Sequence, residues 1–97
     1  MKLQFIEPSE QELKDAFEYY ENQLEGLGDR FLFELNNTIK IILERPSAWS
    51  KIGERTRRAL LKKFPYLILY IHEDDTIFVT GIAHQHRNPD YYVDRLL

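Results

Sequence analysis

The chain has 97 residues, 43% hydrophobic and 13% aromatic, which predicts one folded domain with a single modest core and excludes a disordered or multidomain chain. It contains no cysteine, which excludes a disulfide framework or a thiolate metal site and suits a reducing cytoplasm. The formal net charge is −3, no apolar run approaches the length of a membrane span, and residues 1–8 lack the apolar core of a signal peptide.

That small net charge hides an asymmetry. Residues 1–50 carry five cations against ten acids. Residues 51–63 carry Lys51, Arg55, Arg57, Arg58, Lys62 and Lys63 against Glu54 alone. A local basic patch on an acidic protein can steer toward a polyanion or an acidic partner. The same cations can instead pair with the acidic helices across the fold.

Residues 3–6 read as a first strand, stopped by Pro8. Ser9 and Glu12 have capping-box spacing, in which the hydroxyl satisfies an early helix N–H and the carboxylate reaches back. Leu13, Ala16, Phe17, Tyr20 and Leu24 then recur at helical spacing. Gly26 is placed to end this helix in a left-handed conformation. A second helix opens at Gly28-Asp29, buries Phe31, Leu35, Ile39, Ile42 and Leu43, and stops at Arg45-Pro46. The short link predicts an antiparallel helical hairpin. Residues 47–54 read as a loop, with Trp49 folded back as a local plug.

Three strands follow, over residues 57–63, 66–72 and 76–83. If Glu73-Asp74-Asp75 closes the last hairpin, Ile71 faces Ile77 and Leu69 faces Val79. Alternation then puts Leu67, Leu69, Ile71, Ile77, Val79, Gly81 and Ala83 against the helices. Tyr66, Ile68, Tyr70, His72, Phe78, Ile82 and His84 fall on the other face. That face is either closed by residues 91–97 or left open as an aromatic, basic binding surface. The whole of residues 1–97 reads as one domain, without repeats or low-complexity segments.

Five motifs occur in order: Tyr19-Tyr20, Gly26-Leu27-Gly28-Asp29-Arg30-Phe31, Pro46-Ser47-Ala48-Trp49, Arg57-Arg58 running through Lys63-Phe64-Pro65-Tyr66 to Tyr70, and His84-Gln85-His86-Arg87-Asn88-Pro89-Asp90-Tyr91. Together they resemble the ParE/RelE superfamily, the toxins of bacterial type II toxin–antitoxin systems, also described as plasmid stabilisation proteins. The resemblance implies an α+β fold of order β-α-α-β-β-β(-α), with a helical hairpin packed on a mainly antiparallel sheet. It implies a cytoplasmic toxin held in a hetero-oligomer by a cognate antitoxin, without cofactor or metal. ParE-like members inhibit DNA gyrase by protein contact. RelE-like members are metal-independent ribonucleases that cut mRNA on the ribosome. A third reading is an antitoxin-binding member without toxicity.

RNA cleavage at a 2′-hydroxyl needs a base, an acid and cations for the phosphorane charge. His84 or His86, Arg87 and Tyr91 are the catalytic candidates, with Arg58 and Lys62 as further phosphate contacts. Each has a plainer role: His84 can end a strand, His86 can sit in an exposed turn, and Arg87 can fix the Asn88-Pro89 turn. Arg57, Arg58, Lys62, Tyr66, Tyr70 and Trp49 are the candidates for target or antitoxin binding. Adjacent strand residues point to opposite faces, so Arg57 and Arg58 cannot serve one surface together. No compelling acid–base set is visible, which favours a non-catalytic inhibitor over the nuclease.

Overall fold

Residues 1–88 are described by a computed structural model. The elements run β1 (Lys2–Phe5), α1 (Ser9–Gln23), α2 (Leu27–Glu44), β2 (Thr56–Leu60), β3 (Tyr66–Glu73) and β4 (Thr76–His84). They form one sheet of order β1-β4-β3-β2. The pairs β2–β3 and β3–β4 are antiparallel, and β1 joins β4 in parallel. The helical hairpin covers one face, giving the expected two-layer α+β fold. The expected C-terminal segment and Tyr91 lie outside the described residues.

The helix stripes sit where helical periodicity puts them. Ala16 of α1 and Phe31, Leu35, Ile39 and Ile42 of α2 are buried against Ala59, Ile68, Tyr70, Ile77, Val79 and Ile82 of the sheet. The link between the helices is held by one side chain. The Glu21 carboxylate accepts hydrogen bonds from the Gly26 and Gly28 N–H groups, each at 3.0 Å. Gly26 is left-handed, with φ 87°, but it caps the start of α2; α1 already ends at Gln23, with Leu24 extended after it.

The capping box does not form. Ser9 is buried, and its hydroxyl points to the Ile6 and Val79 carbonyls instead of to a helix N–H. Glu12 Oε1 accepts from the Ile82 N–H at 3.1 Å. Both side chains join helix to sheet, because buried strand backbone groups need partners more than an exposed helix end does.

The strand faces differ from simple alternation. The β3–β4 link is the two-residue turn Asp74-Asp75, with Asp74 at φ 53° and Glu73 opposite Thr76. Ile71 therefore faces Phe78, and Tyr70 faces Val79. A one-residue shift moves every side chain of a strand to the other face. Tyr66, Ile68 and Tyr70 accordingly point toward the helices, whereas Leu67 and Leu69 point away. The register then breaks between Leu69 and Tyr70, where Thr80 is an extra residue in β4. This bulge brings Ile82 to the helix side with Ile77 and Val79, and turns Ala83 away.

The far face is thus mainly aliphatic, with Phe78 opposite Ile71 as its aromatic member among the described strand residues. Leu67, Leu69, Ile71 and Ala83 are buried there, and Ile52 packs on the Leu67–Leu69–Ala83 group. Closure by residues 91–97 lies outside the described residues. Among the described residues, the basic run contributes one ion pair to the helices, Lys63 with Glu34 at 3.7 Å.

Candidate functional site

A cleft of about 360 Å³ opens where α1 meets the C-terminal end of β4. Glu12, Asp15, Ala16 and Tyr19 form the helical wall. Tyr66, Ile82, Ala83, His84 and Arg87 form the sheet wall. Positions 12, 15 and 19 share one helix face because residues three or four apart stack on the same side. The bulge at Thr80 aims the end of β4 so that His84 lies opposite Tyr66.

Aromatic rings run from the hairpin to this cleft. Tyr20 meets Phe31 at 5.2 Å, Phe64 at 4.9 Å and Tyr66 at 5.8 Å between ring centroids. Tyr66 meets the His84 ring edge-on at 5.4 Å, and His84 meets His86 at 5.1 Å. These geometries suit the ring quadrupoles, whose positive edges meet negative faces. Burial raises the Tyr66 hydroxyl pKa and Tyr19 adds to the rise, while Arg87 opposes it. Tyr20 is raised by burial first, then by Tyr66 and Tyr19. Both phenols are therefore neutral donors near pH 7.

His84 has a defined tautomer. Its Nδ1 accepts the His86 backbone N–H at 3.2 Å, so the neutral ring carries its proton on Nε2. Arg87 supplies a cation beside it. Glu12 and Asp15 stand on the facing wall, and their negative charge opposes a polyanion. The arrangement suits a surface with both donors and acceptors better than a bare phosphate backbone.

The structure brings together His84, Arg87 and Tyr66, and leaves His86 in the adjoining turn. It separates the remaining candidates. Arg57 is half-buried, and its Nη1 donates to the Trp49 carbonyl at 2.6 Å. Trp49 packs on the core, and its indole N–H has no hydrogen-bond partner among the described residues. Tyr70, read from sequence as a partner contact, is 0% exposed, so its side chain is not available to a partner in this fold. The register shift explains this displacement. Arg58 and Lys62 are exposed, on β2 and in the following turn, and neither lines the cleft.

Sequence reasoning missed Glu12, Asp15 and Tyr19 as a wall. Tyr19 is 57% exposed at the mouth of the cleft. Their shared helix face was the available signal.

The sequence profile for the ParE toxin of type II toxin–antitoxin system, parDE, matches residues 3–89. The chain belongs to the ParE toxin family. A solved structure, "Chromosomal ParDE TA system from P. aeruginosa", has a chain that superposes with a TM-score of 0.75. The likeness covers 87% of this chain and 95% of that one at 11% identity, so it establishes a common fold. No curated protein matches the chain. Among the described residues of this ParE-family chain, no helix is long and apolar enough to cross a membrane.

Proposed function

We propose that this ParE-family chain is a cytoplasmic toxin that inhibits DNA gyrase by protein contact and is neutralised by a cognate antitoxin in a toxin–antitoxin hetero-oligomer. The family match over residues 3–89 is the observation that carries this reading. The cleft supports contact with a protein over RNA cleavage. Its rings and its mixture of Glu12 and Asp15 with His84 and Arg87 suit a protein surface, where aromatic and charged groups alternate. A nuclease must instead stabilise added negative charge in its transition state, and two facing carboxylates work against that. The cleft, with Tyr19 at its mouth, is the surface we assign to target recognition.

The test is induction of the chain without any antitoxin, with gyrase products and mRNA ends read from the same culture. Growth arrest with accumulated cleaved DNA–gyrase complexes and intact mRNA is the expected result. New mRNA ends with normal gyrase products would reject it in favour of ribosome-dependent cleavage. Unimpaired growth, with antitoxin binding retained, would identify a member that has lost toxicity.

A further inference from the structure

The β2 edge of the sheet gathers cations at the end remote from the residues of the cleft. Residues 50–52 run beside β2, with the Ile52 N–H donating to the Thr56 carbonyl at 2.8 Å and the Arg58 N–H to the Ser50 carbonyl at 3.0 Å. These bonds bracket Lys51 and Arg57, which pair across an antiparallel bridge. Theirs is the non-hydrogen-bonded position, where cross-strand side chains come closest. Like charges placed directly opposite are destabilising. Among the described residues neither cation has an ion-pair partner. Arg57 is also fixed in place by the Trp49 carbonyl at 2.6 Å, so it cannot swing away from Lys51.

Both cations line a small cleft of about 140 Å³, together with Ser47, Glu54, Arg55 and His72. Arg55 is shared with Glu73 through an ion pair at 2.6 Å. That pair is about half exposed, which leaves the remaining guanidinium N–H groups reachable from solvent.

We propose that this cleft is a binding site for one phosphate group, held by Lys51, Arg55 and Arg57 with Ser47 and His72 as further donors. Donors converge from β2, from β3 and from the preceding loop. That distribution fits a tetrahedral oxyanion, whereas a planar carboxylate is satisfied by one bidentate arginine. A phosphate group also carries up to about two charges near neutrality, enough to offset two facing cations despite Glu54. The small volume takes a phosphate but not a nucleoside. The group can be free phosphate, which supplies both charges, or one phosphodiester of a nucleic acid, which presents two non-bridging oxygens and a single charge. The inference does not depend on which target the toxin has.

Amide NMR titration of the full chain at constant ionic strength tests it, with separate arms of inorganic phosphate, acetate, chloride and a short DNA duplex. Saturable shifts at residues 50–58 and at His72 are expected with phosphate or with the duplex. Phosphate alone would identify the free anion, and salt-dependent binding of the duplex would identify the phosphodiester. Lys51→Gln and Arg55→Gln should each weaken the interaction by roughly tenfold, as loss of one charge-assisted hydrogen bond does. Both side chains are exposed and leave the Arg57–Trp49 bond intact, so unchanged spectra elsewhere will verify folding. Acetate shifting the same amides as strongly as phosphate would overturn the proposal and indicate a carboxylate-bearing protein partner. Wild-type phosphate affinity in both variants, or the absence of saturable shifts in every arm, would also overturn it.

Discussion

The Tyr70 hydroxyl donates a hydrogen bond to the Pro46 carbonyl at 2.6 Å. Tyr70 is in a central strand, and Pro46 lies just past the end of α2. One phenol therefore fastens the segment leaving the hairpin to the middle of the sheet. Its ring is fully buried among aliphatic side chains, so a lost bond there is not replaced by water. Tyr70→Phe is expected to destabilise the fold by about 1–2 kcal/mol, measured as a lower urea midpoint at unchanged slope.

The same residue sets an alkaline limit. Burial pushes the Tyr70 phenol up to about 12, with Arg57 opposing the rise, against an ordinary value of 10.0. The folded state thus favours the neutral phenol. Its contribution is fully present below pH 10 and is lost as pH rises from there through the folded value near 12. The loss is roughly 2–3 kcal/mol by linkage. Denaturation midpoints measured across this window should fall, and the fall should be smaller in Tyr70→Phe. Tyr20 and Tyr66, also raised, will keep it from vanishing.

Two glycines two positions apart fail for different reasons. A Cβ on Gly28 would lie 2.7 Å from the Phe17 ring and 2.9 Å from Glu21 Oε1, so Gly28→Ala forces the helices apart. The expected cost is about 1–3 kcal/mol in thermal or chemical denaturation. Gly26 has nothing within 4 Å of such a Cβ, but its φ of 87° strains any L side chain. Gly26→Ala should cost about 1–2 kcal/mol, whereas Gly26→Asn, which tolerates that backbone better, should cost less.

Ser9 separates a cap from a tertiary fastener. A capping serine replaced by alanine destabilises one helix end, and a neighbouring acid can partly replace it. Ser9 instead serves strand and loop carbonyls in a buried place. Ser9→Ala and Ser9→Asp should therefore both lose about 1–2 kcal/mol, because a buried carboxylate cannot donate to the Val79 carbonyl. A stability gain in Ser9→Asp would restore the capping interpretation.

The recognition surface predicts a variant that folds but fails in the cell. Tyr19 is exposed at the cleft mouth, so Tyr19→Ala should change stability by less than about 0.5 kcal/mol. It should nevertheless weaken target binding by tenfold or more, as loss of an aromatic anchor does. Relief of growth arrest at equal expression, with an unaltered denaturation curve, is the expected pair of observations.

The element order was legible in the chain because it rests on local patterns: the 3.6-residue stripes of Phe31, Leu35, Ile39 and Ile42, the helix stop at Arg45-Pro46, and three apolar runs separated by turn residues. The family resemblance was legible for the same reason, as short motifs survive in sequence order. His84 and Arg87 stood out by residue type near the end of the last strand, and the fold brings both to the cleft. Three features needed the folded molecule. The turn closing over two residues in place of three, followed by the bulge at Thr80, decides which face each strand residue takes, and both depend on pairing between segments. That pairing buries Tyr70 and turns Tyr66 toward His84. It also places Lys51 beside Arg57, a juxtaposition of like charges. Side-chain chemistry and periodicity are properties of the chain itself, but register is settled by contacts between distant segments, and one residue of slip reverses inside and outside.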